Sequence, residues 1–148
     1  MKEKPTTRVH EIMSRNVVHV APETTIQHAA ELMAQHDIGA LPVCNGGRIV
    51  GMVTDRDLTL RALSEGCPPM APVARVATSG VEWCYDDEDV DIVQRRMAEA
   101  QVRRLPVVNH RRELVGALSL GDIATRCGGV QRERVANTLE DISQRRIG

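Results

Sequence analysis

The chain has 148 residues, with 19 basic and 20 acidic side chains for a formal charge of −1, a hydrophobic share of 42 % and an aromatic share of 1 %. That near-balance excludes a strong long-range field for nucleic acid or an anionic membrane, and no apolar run approaches the roughly 20 residues that span a bilayer. With no Phe at all, any core is aliphatic, built from Val, Ile, Leu, Met and Ala.

Met1 to Val9 is charged and lacks the apolar stretch of a secretory signal, so the protein reads as cytoplasmic. Asn16 to Val20 is a short β-branched run that predicts a strand. Ile26, Ala29, Ala30 and Met33 follow helical spacing and predict an amphipathic helix. Leu41 to Cys44 and Ile49 to Val53 flank Asn45-Gly46-Gly47 and predict a hairpin. A second helix is predicted from about Asp55 to a stop at Gly66. Ser64 to Pro72, with one Gly and three Pro, reads as a linker.

The pattern then returns. At an offset of 64, Leu41-Pro42-Val43 matches Leu105-Pro106-Val107, Val9 matches Val73, and Met33 matches Met97. After a one-residue insertion, Val50-Gly51 matches Val115-Gly116 and Asp57 matches Asp122. Two copies therefore cover residues 9–63 and 73–127, and the second keeps the helical stripe as Val90, Val93 and Met97. Its last helix is expected to stop at Gly128-Gly129, and Gln131 to Arg146 reads as a C-terminal helix with Val135, Leu139 and Ile142 on one face. One copy buries too little surface alone, so the expected fold is α/β: two pseudo-symmetric βαββα repeats packed sheet to sheet, with a C-terminal helix.

Each copy carries a hydroxyl residue three positions before an Asp, where a strand ends and a helix begins: Thr54 with Asp57, and Ser119 with Asp122. Such a pair makes a capping box, in which hydroxyl and acid satisfy open backbone N–H groups. A cap uses only part of a carboxylate's acceptor capacity, so the same Asp can also accept from the hydroxyls of a ribose.

The order Ile38-Gly39-Ala40-Leu41-Pro42-Val43, a turn, then Val50-Gly51 with Thr54 and Asp57 resembles a cystathionine-β-synthase (CBS) domain. It recurs as Val102-Arg103-Arg104-Leu105-Pro106-Val107 with Ser119 and Asp122. The opening Ile12 to Val18 also fits, and the resemblance is to bacterial proteins made only of a CBS pair. It implies a Bateman module: a regulatory signal-transduction unit, not an enzyme, that binds adenosyl ligands (AMP, ADP, ATP, NAD or S-adenosylmethionine) in clefts between its repeats. The first cleft would join Ser119 and Asp122, the latter on the ribose, to Ser14, Val18, Ile38, Gly39 and Ala40 around the base. The second would join Thr54 and Asp57 to Thr78, Glu82, Val102, Arg103 and Arg104. The two differ: Gly39-Ala40 is small and neutral, whereas Arg103-Arg104 suits phosphate, and Glu82 stands where an apolar residue is expected. The apolar helix faces imply a homodimer.

Other signals are set aside. Asp86 to Asp89 reads as a helix opening, since acids complement the dipole there. Trp83 and Tyr85 read as core filling. Arg95-Arg96, Arg103-Arg104 and Arg111-Arg112 lack interleaved aromatics, so neither nucleic acid nor membrane is an expected partner. Cys44, Cys67, Cys84 and Cys127 form no Cys-x-x-Cys pair and read as free thiols. Two alternatives stay open: a metal- or redox-responsive dimerisation module using Cys and His, and an enzyme using Glu82 and Asp57.

Overall fold

A computed structural model describes residues 6–127, 135–140 and 142. In chain order its elements are α1 (Val9–Ile12), α2 (Ile26–His36), β1 (Ala40–Asn45), β2 (Arg48–Thr54) and α3 (Asp55–Asp57). A π-helical stretch, Leu58–Leu63, continues α3, and a single 3-10 turn follows at Val73–Arg75. Then come β3 (Cys84–Tyr85), α4 (Val90–Ala100), β4 (Arg104–Val108), β5 (Leu114–Ser119) and α5 (Leu120–Arg126). The chain divides into two compact units: one holds residues 1–17, 82–111 and 115–148, the other 18–81 and 112–114. These are not the sequence repeats. The opening segment of each repeat is built into the unit that holds the hairpin of the other.

In the unit of residues 18–81, β1 and β2 pair antiparallel, with Asn45 opposite Arg48. The turn works because Gly46 and Gly47 both sit at positive φ, 59° and 84°, as a tight two-residue hairpin demands. Leu41, Val43 and Val53 are buried against Ile26, Ala29 and Met33 of α2. Thr25 caps that helix by accepting from His28 N at 3.1 Å. Val20 bridges β1 in parallel and Thr78 bridges β2 antiparallel, adding an extended residue at each edge.

The unit that begins with residues 1–17 repeats the plan. β3 runs parallel to β4, β4 lies beside β5, and Ser14 bridges β5 antiparallel at Ala117. Val90, Val93 and Met97 of α4 join Val9, Ile12, Leu105, Leu118 and Ile123 in an aliphatic core. Asp89 caps α4 by accepting from Asp91 N at 2.8 Å.

Three expectations change in detail. The strand expected over Asn16 to Val20 does not form: one isolated bridge falls within it, at Val20, and another just before it, at Ser14. The chain passes from one unit to the other at Val17–Val18, so the two bridges meet different strands and no continuous ladder forms. Ala30, expected in the apolar stripe, is exposed, which narrows the buried face of α2 to Ile26, Ala29 and Met33. The helix expected from Asp55 becomes π-helical after one turn, though Gly66, at φ 71°, follows its end as expected. Of the C-terminal helix, residues 135–140 and 142 are helical, with Val135 and Ile142 in the core and Leu139 against it. Its remaining residues, and Gly128-Gly129, lie outside the described set.

Candidate functional site

Each unit builds one strand-to-helix corner, and both corners are capping boxes. Asp57 Oδ2 accepts from Thr54 N at 2.9 Å, and Thr54 Oγ1 accepts from Asp57 N at 3.0 Å. Asp122 Oδ2 accepts from Ser119 N at 3.1 Å, and Ser119 Oγ accepts from Asp122 N at 3.0 Å. The capping role is therefore realised, and in both boxes it consumes one carboxylate oxygen.

The second oxygen differs between corners. Asp57 Oδ1 lies 3.9 Å from the Arg61 guanidinium, which also donates to Thr78 Oγ1 at 3.4 Å. The equivalent arginine in the other unit, Arg126, instead donates to Ile12 O at 3.0 Å. Among the described residues, Asp122 Oδ1 has no hydrogen-bond partner, and the half-buried Asp122 keeps it available to a ligand hydroxyl.

The glycine three positions before each hydroxyl decides what stands beside the corner. A Cβ on Gly116 would lie 2.7 Å from Ser14 O, and one on Gly51 would lie 2.8 Å from Thr78 O. Only glycine lets those backbones close. Ser14 then exchanges two 2.9 Å hydrogen bonds with Ala117, and Thr78 exchanges bonds of 2.8 and 2.9 Å with Met52. Ser14, expected across a cleft from Ser119 and Asp122, thus belongs to their own unit, and Thr78 likewise joins Thr54 and Asp57. Each corner combines residues from both repeats.

A backbone carbonyl also meets each corner. Asp55 N donates to Gly39 O at 2.9 Å, and Leu120 N donates to Arg103 O at 3.0 Å. Gly39 is exposed, between half-buried Ile38 and Ala40, in the unit that also holds half-buried Val18. Arg103 and Arg104 are exposed beside half-buried Val102, and Glu82 is exposed, in the unit of Asp122.

The signals set aside have definite places. Asp89 caps α4, while Glu88 accepts from Tyr85 N at 2.8 Å and from Arg96 at 2.7 Å, so the acidic run opens the helix. Trp83 and Tyr85, expected as core filling, are only half-buried: their rings meet edge to face at 4.9 Å. Tyr85 stacks on His110 at 4.5 Å, and His110 Nε2 pairs with Asp87 Oδ2 at 2.7 Å. That hydrogen bond raises the His110 pKa above its ordinary value and lowers that of Asp87. All four cysteines are free thiols. Burial, helped by Glu88 and Asp86 and opposed by Arg96, pushes Cys84 up to about 12, and burial raises Cys44 and Cys127 as well. These are poor nucleophiles at neutral pH. His19, His28 and Cys44 line one cavity of about 240 Å³, but among the described residues no three His, Cys, Asp or Glu are grouped to hold a metal ion. Gln94 is a residue that periodicity missed: it is buried on α4 among the apolar positions.

Comparison with known proteins decides the family. The CBS domain model matches residues 9–63 and 73–129. This chain belongs to the CBS domain family. It is 37 % identical over 139 residues to the CBS domain-containing protein YhcV of Bacillus subtilis, spanning 94 % of this chain and 97 % of that one. Among solved CBS structures, Hypoxic Response Protein I with two coordinated zinc ions aligns with TM-score 0.73 and 35 % identity over 81 % of this chain and 98 % of that one. The CBS domain pair of MJ0100, in complex with 5′-methylthioadenosine and S-adenosyl-L-methionine, aligns with TM-score 0.71 and 29 % identity, covering 85 % and 99 % of the two chains. CBSX2 in complex with AMP aligns with TM-score 0.71 and 27 % identity, covering 85 % and 98 %.

Proposed function

We propose that this CBS protein is a non-catalytic sensor that binds an adenosyl compound and passes the binding event to a regulated partner. The observation that carries the reading is the Ser119–Asp122 corner. Its carboxylate caps a helix with one oxygen and leaves the other uncommitted, in the unit where Ser14 pairs with Ala117. A ribose offers two adjacent hydroxyls, and a carboxylate accepting from them is the recognition that nucleotide folds use. The adenosyl ligands of the MJ0100 pair and of CBSX2 support that ligand class.

The two corners have different tastes in this reading. The neutral set of the resemblance, with Val18, Ile38, Gly39 and Ala40, suits an adenine with few phosphates. Its other set includes Arg103 and Arg104, whose guanidinium forks suit a more highly phosphorylated ligand. Binding signals only if the ligand prefers one conformation of the protein over another. Exposed Leu60 and Leu63, 50 % and 76 % accessible on the π-helical stretch, support a homodimer that covers them. The test is calorimetric titration with adenosine, AMP, ATP, NAD and S-adenosylmethionine, with product analysis of each mixture. Saturable binding without turnover is the expected result. No binding by any of them, or consumption of one, refutes the proposal.

A further inference from the structure

Each corner aspartate is followed four residues later by an arginine, Arg61 after Asp57 and Arg126 after Asp122. The two arginines are spent differently. Arg126 donates to Ile12 O at 3.0 Å, a full hydrogen bond to a backbone carbonyl. Arg61 has two partners among the described residues, and both are distant: its Nη1 donates to Thr78 Oγ1 at 3.4 Å and stands 3.9 Å from Asp57 Oδ1. One long hydrogen bond and one through-space attraction use little of a guanidinium's donor capacity. The Arg61 side chain is 48 % accessible, so leaving these contacts costs little.

Both partners belong to the second expected ligand set, and Asp57 is its ribose carboxylate. A neutral nucleoside offers the guanidinium nothing, and its hydroxyls must take Asp57 Oδ1 away from a positive charge. A 5′-phosphate on the same ribose offers an exchange. Guanidinium groups pair with phosphate oxygens through two parallel, charge-assisted hydrogen bonds, which are stronger than the contacts Arg61 makes now. Arg61 then leaves Asp57 for the phosphate, and the released Oδ1 accepts from the ribose. The other corner has no such exchange to make: Arg126 is held by Ile12 O, and Asp122 has no ion pair among the described residues.

We propose that Arg61 is a specificity-determining residue of the Asp57 corner and makes that corner prefer a phosphorylated ribose to a bare nucleoside. This assignment rests on the adenosyl reading and adds to it the group that tells nucleotide from nucleoside. The experiment is calorimetric titration of the whole chain with adenosine and with AMP, in an Asp122→Asn background that weakens the other corner. AMP should bind more tightly than adenosine before Arg61 is changed. Arg61→Ala should weaken AMP by about tenfold or more and should tighten adenosine by about two- to fivefold, the gain from removing an exposed ion pair. A merely structural arginine would move both ligands in the same direction. Arg61→Gln keeps a donor for Thr78 without the charge; it should repeat the alanine result, and it carries the test if the alanine variant fails to fold. Equal losses for both ligands, or an unchanged AMP affinity, overturn the proposal and leave the adenosyl reading standing. If neither ligand binds the parent chain the proposal falls as well, and the wider panel of adenosyl compounds then decides the reading beneath it.

Discussion

Changing Asp122 to Asn separates the two duties of that side chain. In the structure Oδ2 accepts from Ser119 N at 3.1 Å, while Oδ1 has no partner among the described residues. Asparagine can keep the cap with its single oxygen. It then presents a neutral amide donor where the ribose hydroxyls need a charged acceptor. A hydrogen bond to a charged group is worth about 1.5–3 kcal/mol. At about 1.4 kcal/mol per factor of ten, the dissociation constant for the bound adenosyl compound should rise by roughly 10–150-fold. Asp122→Ala should weaken binding as much and should also lose the cap, lowering the unfolding free energy by about 0.5–1.5 kcal/mol. Asp122→Asn should unfold almost as the parent does. Titration calorimetry reads the affinity and urea denaturation reads the stability. If both variants bind with parental affinity, Asp122 is a helix cap and nothing more, and the ribose assignment falls.

Replacing Arg103 and Arg104 by Ala should reduce the affinity for ATP more than for AMP or adenosine; equal losses for all three would show that these side chains do not read phosphate. Gly116→Ala should cost about 1–3 kcal/mol of stability by denaturant titration, since its Cβ would lie 2.7 Å from Ser14 O; an unperturbed variant would mean the Ser14 segment is free to move away. The His110 ring should titrate above 6.5 by NMR, and Asp87→Asn should bring its midpoint down. Because the folded pKa of His110 is raised and that of Asp87 lowered, the pair's contribution is present above the ordinary Asp range near 3.8 and below the His range near 6.5. It is lost as pH falls through the folded pKa of Asp87 or rises through that of His110. Light scattering at micromolar concentration should give the mass of a dimer, and Leu60→Glu with Leu63→Glu should give that of a monomer.

Much of this architecture is legible in the residues because local chemistry and fold agree. Two glycines in a turn between apolar runs give the hairpin, and a hydroxyl three residues before an acid gives the cap. Less legible is which segment stands beside which strand. Ser14 and Thr78 pair with strands of the other repeat, an exchange that no periodicity records. Its only local trace is Gly51 and Gly116, whose missing Cβ atoms admit a backbone. Gln94 was hidden for the opposite reason: it lies on the buried face of α4 with Val90, Val93 and Met97, but its polar side chain drops it from an apolar stripe.

The duplication is also where the copies diverge. At the offset of 64, His19, Thr24 and Leu32 correspond to Trp83, Glu88 and Arg96. In the second copy Arg96 reaches Glu88 at 2.7 Å and the Trp83 carbonyl at 2.6 Å, so an ion pair ties the helix to the segment before it. In the first copy the same backbone carries Thr24 and Leu32, which cannot make that pair, and a cavity of about 240 Å³ opens beside His19 and Cys44. The arginine after each corner diverges too, since Arg61 approaches Asp57 whereas Arg126 turns to Ile12 O. A guanidinium 3.9 Å from Asp57 Oδ1 already sets a positive charge beside that second oxygen, so a ribose there must compete with it; at Asp122 it need not. The Ser119–Asp122 corner should therefore be the tighter ribose site. Arg61→Ala should strengthen ribose binding at Asp57, and an unchanged affinity there would show that the 3.9 Å contact does not hold the carboxylate back.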